Sequence, residues 1–472
     1  MNREASNFHE EGEIIEAVQR YEEMLKTGEM AYFDVFQFEH IIDSFMDEGK
    51  FFQALKVVEL GQMQHPASIS ILAKKAHIYL NIGEITNSLA IVNNLLQIED
   101  TNHELHLLKG SSHLLLGETE EAEESFAKAI RYSFEEKDDI YYNIGYAFEQ
   151  SGNFKKAVDY FIEAHESNPQ NEMVLYELAF CFDKLGENYK SIECYNKYLD
   201  LDTFSDSAWF NLGIVYNKLN NNKKATEAYE YALTINEDFP NAWYNLGNTY
   251  LIWRKVDKAI EALTKYLEYD ESNDEVYCML GECYFQNKNF DVALLHFQKA
   301  LTFNKKNDKA WFLAGMMFKI KKDYYNSLAH IKKALKFEPK NLDYLYFYAK
   351  VSAKLNMLKE SIDAFDNLVE FAPSKLIYWL KYSKMLNDKG LKSIAISVLE
   401  NALSYHPDNS LIYYRLAAYH LESLDEKMAL NYLDSALQTD WKHYKFFYRS
   451  YPEAVLNESV KKLINKYKPE IL

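Results

Sequence analysis

The chain has 472 residues, of which only 15 are glycine and 8 proline, and it carries a formal net charge of −19. So acidic a balance excludes general phosphate neutralisation, and nowhere do the roughly eighteen apolar residues of a membrane span run together; neither nucleic acid nor membrane insertion is expected. Four cysteines in so long a chain fit a reducing compartment, Cys194 and Cys278 show no metal-ligand spacing, and the first residues show no basic n-region or apolar h-region, so a soluble, cytoplasmic protein is expected.

In chain order, Gly12 to Lys26 places Ile14, Ala17, Val18, Tyr21, Met24 and Leu25 at helical spacing with one wet face. This predicts an N-terminal capping helix within residues 1–34. A fixed period then takes over. Alanine or serine recurs at Ala54, Ser88, Ala122, Ala157, Ser191, Ala225, Ala259, Ala293, Ser327, Ser361, Ala395 and Ala429, each step being 34 residues except one of 35 after Ala122. About twelve repeats fill residues 35–443, starting near Val35, Ile69, His103, Asp138, Glu172, Asp206, Pro240, Asp274, Asp308, Leu342, Leu376 and Ser410.

Within each repeat, positions 4, 7, 8 and 11 form the buried stripe of a first helix. Position 8 requires a small residue where two helix backbones approach, supplied by Gly110, Gly145, Ala179, Gly213, Gly247, Gly281, Gly315, Ala349 and Ala417. The chain turns at Gly49, Gly83, Gly117, Gly152, Gly186 or Gly390, or at Asn and Lys in other copies, into a second helix. Four residues past the small Ala or Ser stands an apolar anchor (Phe126, Phe161, Tyr195, Tyr229, Leu263, Phe297, Ile331, Phe365), expected to pack onto the next repeat. Pro66, Pro169, Pro339, Pro373 and Pro407 follow the second helix and stop it. The first repeat is degenerate, with Ile42 at position 8. Trp441 to Tyr451 reads as aromatic and irregular, after which Asn457 caps a short helix with Val460, Leu463, Ile464 and Tyr467 on one face. Residues 444–472 are thus expected to close the core at that end.

The clearest copies lie at residues 206–273. Trp209, Leu212, Gly213 and Tyr216 stand at W-x2-L-G-x2-Y spacing, followed by Ala225, Tyr229 and Ala232; Trp243, Leu246, Gly247 and Tyr250 repeat it, followed by Ala259 and Leu263. The pattern resembles the tetratricopeptide repeat, over about residues 35–443. The resemblance implies an all-α fold: an α-solenoid, a right-handed superhelix of tandem helix-turn-helix repeats whose inner wall is made by the first helices. The layout is similar to long bacterial tetratricopeptide arrays, which are interaction proteins, and the resemblance implies no catalytic residue.

The residues point the same way. There is no H-E-x-x-H pair, no G-x-x-x-x-G-K-[ST] loop and no G-x-S-x-G elbow, so no catalytic group, cofactor or metal is expected. His103, His106 and His113 do not share a helical face, Glu118 to Glu124 read as a solvated face, and Cys181 and Cys283 read as core fillers at one repeat position.

At about 100° per residue, repeat positions 2, 5, 9, 12 and 13 point away from the buried stripe and are expected to line the inner groove. They supply the candidate peptide-binding residues Tyr142, Tyr146, Tyr176, Phe180, Phe210, Tyr244, Asn248, Phe312, Met316 and Tyr346, then Lys319, Lys350, Lys354 and Lys384, with Lys309 beside them. The aromatic row at position 5 is open to two readings, binding surface or packing between neighbouring repeats. Beside it, Asn143, Asn211 and Asn245 at position 6 resemble the asparagine ladder of O-linked N-acetylglucosamine transferases, which pairs with a peptide backbone; Glu177 interrupts the row and no transferase domain follows. The lysines resemble the carboxylate clamp of chaperone-binding repeats only in part, because arginine is absent from the stretch and the asparagines are out of the clamp's order. Residues 1–137 carry 25 acidic against 11 basic residues, whereas residues 305–400 carry 18 lysines against 10 acidic residues. The expected partner is a protein or peptide, an extended or helical segment held by a non-enzymatic scaffold; self-association of the acidic third with the basic third, and a role as regulatory subunit of an enzyme complex, stay open.

Overall fold

The computed structural model describes residues 16–133 and 137–467, and every regular element among them is helical. The chain forms two compact units, Met1–Asn245 and Leu246–Leu472. In the first, a helix over 16–27 precedes six helix pairs, from Val35–Asp47 with Phe51–Gln64 to Asp206–Lys218 with Asn222–Ile235. The division falls inside the helix Pro240–Ile252. The second unit continues with Val256–Tyr266 and five further pairs, ending in Ser410–Glu422 with Glu426–Asp440. These are the tandem helix-turn-helix pairs of an α-solenoid, and in the pairs other than Pro240–Ile252 with Val256–Tyr266 each first helix packs chiefly on its own second helix.

Local chemistry sets the boundaries. Asn102, Ser205, Asn273 and Asn307 cap their first helices by accepting from the amides of Leu105, Ala208, Val276 and Ala310 at 3.2, 3.3, 3.1 and 2.7 Å. At the other end of a repeat, Asn168, Asn236 and Asn304 donate back to Asp138, Asp206 and Asp274, which open the same repeats, at 2.8, 2.6 and 3.1 Å. The turn inside each pair holds one left-handed residue. Glycine serves six times, with φ from 70° to 83°; Asn220, Lys288, Lys322 and Asn356 serve where sequence pointed to Asn and Lys, and Arg254 and Leu424 adopt the same conformation.

The core of every pair is a seat and an occupant. The twelve small residues from Ala54 to Ala429 are at most 1% exposed, and Ser191, Ser327 and Ser361 donate to the position-8 carbonyls of Ala179, Gly315 and Ala349 at 2.7, 2.8 and 2.9 Å. That brings the second helix's anchor down onto position 8 of its own repeat, a contact additional to the expected one with the next repeat. A Cβ on Gly110, Gly213 or Gly281 would stand 2.4 to 2.5 Å from the rings of Phe126, Tyr229 and Phe297. The outer side of the anchor then meets the next repeat, as Phe126 meets Phe148 at 5.6 Å. In the first two repeats position 8 is not glycine and the anchor is valine, Ile42 with Val58 and Ala76 with Val92, all fully buried, whereas Ala179 and Ala349 keep the ring anchors Tyr195 and Phe365.

At both ends of the helix pairs further apolar side chains are buried among the described residues. Ala17 and Tyr21 of the first helix are buried with Phe33, Phe38, Ile41, Ile42 and Phe45; residues 12–15 of the expected cap, with Ile14, lie outside the described residues. At the far end the stretch read as irregular is ordered into a 3-10 turn, Trp441–His443, and a helix, Tyr444–Ser450. Its Tyr444, Phe447 and Tyr448 have i, i+3, i+4 spacing, and fully buried Phe447 reaches Tyr414 at 6.0 Å. The last helix, Glu458–Lys466, is capped by Asn457 and buries Val460 and Ile464, while Leu463 and Tyr467 lean on the same cluster and the Tyr467 hydroxyl donates to Asp434 at 2.8 Å.

Two outcomes follow from this packing. Gly281→Ile should destabilise by about 1–3 kcal/mol through overpacking and Phe297→Val by about 2–3 kcal/mol through a cavity, whereas the double variant, which copies the Ile42 and Val58 pairing, should lose clearly less than the sum; urea unfolding of the three proteins measures this. Removing residues 452–472 should expose the last pair's apolar end, so the shortened chain should melt earlier and associate, as light scattering would register.

Candidate functional site

In the first unit the first helices of successive repeats stand side by side, and the position-5 rings lie partly between them. Tyr142 packs on Phe161 at 5.7 Å and stacks on Tyr146 at 6.3 Å; Tyr176 meets Tyr195 at 5.8 Å and Tyr198 at 5.4 Å; Phe210 meets Tyr229 at 5.8 Å and Phe239 at 4.8 Å. Tyr142, Tyr176, Phe180, Phe210, Tyr244 and Asn245 are half-buried, whereas Asn143 and Tyr146 are exposed. Each ring therefore packs within the repeat array and also shows part of its surface on the face that the first helices make.

Position 6 does something the sequence did not suggest. The Asn211 amide donates to the Tyr176 hydroxyl, on the preceding repeat, at 2.8 Å. Glu177 reaches back in the same way to the Tyr142 hydroxyl. In the second unit Arg415, also at position 6, donates to the backbone carbonyl of Leu380 at position 5 of the repeat before, and to the Ser383 hydroxyl at 3.4 Å. In these three repeats position 6 is thus a clasp between neighbouring first helices. Asn143 stands apart, since Leu107 occupies position 5 before it and has no hydroxyl to offer.

Glu177 has a second partner. Glu149 lies on the preceding first helix, Lys137–Gln150, seven residues after Tyr142 and therefore on the same face; it is 9% exposed. It hydrogen-bonds Glu177, and the Cys181 thiol, one turn beyond Glu177, donates to its carboxylate at 3.7 Å. Burial and the neighbouring Glu149 carboxylate push the Glu177 carboxyl up to about 8; burial raises Glu149 as well, and burial with the Glu149 charge raises the Cys181 thiol. The two acids titrate as a coupled pair, each held above the ordinary carboxylate range. The sequence signal was present, as the one acid breaking a row of asparagines, but its partner at position 12 of the previous repeat was missed.

The second unit offers cations. Lys319 lies 4.5 Å over the Phe347 ring and Lys350 5.1 Å over Tyr346, and burial and the Lys350 charge lower the Lys319 ammonium. Lys309 is paired with Glu282 at 2.5 Å, but among the described residues Lys319, Lys350, Lys354 and Lys384 have no carboxylate within ion-pair distance. Phe312 is packed against Tyr344 at 4.5 Å and Phe347 at 5.4 Å, Tyr346 against Tyr378 at 5.8 Å, and Asn248, Met316, Lys319 and Tyr346 are half-buried. Lys350, Lys354 and Lys384 are exposed. Among the described residues no group of three His, Cys, Asp or Glu side chains is placed to hold a metal ion, and no helix is long and apolar enough to cross a membrane.

Family models of the tetratricopeptide repeat match residues 103–136, 139–171, 174–204, 207–239, 228–261, 274–307 and 308–341. Among the curated proteins none is similar in sequence. Solved structures that resemble the chain include YrrB, described as a TPR protein with an unusual peptide-binding site, at 23% identity and a TM-score of 0.36 over 39% of this chain and 96% of that one. Another is MamA, at 29% identity and a TM-score of 0.35 over 37% and 95% of the two chains. A tetratricopeptide repeat protein from Parabacteroides merdae has 19% identity and a TM-score of 0.38 over 53% and 98%.

The clasp has a measurable strength. Tyr176→Phe and Asn211→Leu should each destabilise the first unit, and a double-mutant cycle in urea should return a coupling of about 0.5–1.5 kcal/mol, the net worth of one hydrogen bond.

Proposed function

Because the chain is a tetratricopeptide-repeat protein, we propose that it is a non-enzymatic scaffold that holds an extended or helical segment of a partner protein against its first-helix face. The observation that carries this reading is the run of half-exposed rings on one face of the first unit, Tyr142, Tyr176, Phe180, Phe210 and Tyr244, with exposed Tyr146 and Asn143 among them. Rings held by packing present contact area without the entropy cost of ordering a loose side chain. Asn143, Asn211, Asn245 and Asn248 supply amides whose donors and acceptor suit a peptide backbone. In the second unit Phe312, Met316 and Tyr346 give apolar contact, and Lys319, Lys350, Lys354 and Lys384 meet an acidic part of the segment.

A second reading is favoured by one observation, the charge asymmetry between residues 1–137 and 305–400. A copy of the chain would then be its own partner, and sedimentation at low and high salt separates the two readings.

The test is a peptide selected from a display library on the full chain, followed kinetically at two salt concentrations. Tyr176→Ala, Phe210→Ala and Tyr244→Ala together should raise the dissociation rate by at least about tenfold, since interface truncations act mainly on dissociation. Changing the four lysines to Glu should instead slow association and flatten its salt dependence. If neither variant alters binding while substitutions on the second helices do, the first-helix face is not the working surface.

A further inference from the structure

We propose that Glu149 and Glu177 form a proton-held latch between the first helices of the fourth and fifth repeats, so that the face on which the ligand reading rests changes with pH. The geometry is reciprocal. Helix Lys137–Gln150 contributes Tyr142 and Glu149, seven residues apart, and helix Glu172–Lys184 contributes Glu177 and Cys181, four apart. Spacings of seven and four bring each pair onto one helical face, and the four side chains form a single chain of hydrogen bonds running Tyr142, Glu177, Glu149, Cys181. Both helices are tied at their far sides, Ala157 and Ser191 being fully buried. The carboxyl pair is therefore the place where the two first helices meet through groups that can change charge.

The other groups facing the pair do not replace the proton. From the same two helices come Tyr142, Tyr146 and Tyr176, whose phenols burial raises, and from the second helix Asn188–Leu201 comes Tyr195, raised likewise. The cation that acts on the pair is Lys184, which lowers Glu149 but is exposed and lies 4.7 Å over the Phe180 ring. With one proton present, Glu177 donates to Glu149 and the pair carries a single negative charge. When that proton leaves, two carboxylates face each other in a half-buried site, the hydrogen bond between them is lost, and repulsion parts the helices. The binding face beside Tyr142, Tyr146 and Phe180 then becomes more negative and less firmly spaced.

The sign follows from linkage. Glu177 holds its proton more tightly in the folded chain than in the unfolded one, so the stability it confers is fully present below the ordinary carboxylate range and is lost as pH rises towards about 8. Glu177→Gln keeps an N–H donor towards Glu149 at every pH and removes the titration. The experiment is urea unfolding of the ligand-free full chain from pH 5 to 9, with Glu177→Gln and Glu149→Gln compared with the parent. The parent should lose stability relative to Glu177→Gln across this window, with a slope approaching one proton, and by less relative to Glu149→Gln, where burial still raises Glu177. Hydrogen exchange, corrected for its intrinsic pH dependence, should place the loosening in residues 137–184. Parallel curves for the parent and the variants would overturn the latch, as would loosening confined to other repeats. Since no ligand is present, failure here leaves the peptide-binding reading standing, and failure of peptide selection leaves this result standing. If one Gln variant does not fold, the other decides.

Discussion

The interaction on which everything else depends is the seating of one anchor side chain of each second helix on position 8 of its own first helix. Where position 8 is glycine, ring carbons occupy the volume a Cβ would need, as at Gly110, Gly145, Gly213 and Gly281. Such contact draws the helices close enough that only Ala or Ser fits at the neighbouring crossing point, and close enough for a serine hydroxyl to reach the facing backbone carbonyl. Close packing of this kind leaves each pair with one arrangement, and because the anchor's outer side is completed by the following repeat, neighbouring pairs stabilise one another.

On that frame the two units carry different chemistry. The first joins its neighbouring helices with tyrosine hydroxyls, an asparagine and a pair of acids; in the second, cations lie over rings without carboxylate partners. The same repeat position does similar mechanical work with different groups, as Asn211, Glu177 and Arg415 each reach back to the repeat before. Surface identity and inter-repeat mechanics are therefore not separable here: a side chain on the first-helix face also helps to hold that face together.

Much of the fold was legible in the sequence because its causes are local and periodic. A small residue every 34 positions, a stripe at i, i+3, i+4, i+7 and a turn residue at a fixed offset each leave a mark in the chain. Two things were less legible. Arg254 and Leu424 hold left-handed turns although their side chains do not favour them, because the packing of the flanking helices outweighs a local cost. The aromatic stretch after residue 440 forms ordered helix only by burying Phe447 against Tyr414, a contact no local pattern announces. The candidate site was legible as a row of residues and not as a network: Asn211 and Glu177 stood out by type, but their partners sit 35 and 28 residues earlier, a relation that only stacking creates.

The seat and its occupant also set where such a chain can be rearranged by recombination. A crossover between repeats, in the loops that follow the second helices, transfers position 8 together with the anchor that fits it. A crossover inside the helical hairpin would mate Gly145 with an anchor such as Val58, leaving a hole, or Ile42 with Phe161, forcing a clash. The segment that can be exchanged with its packing intact is therefore the whole helical pair, bounded by the loops after the second helices.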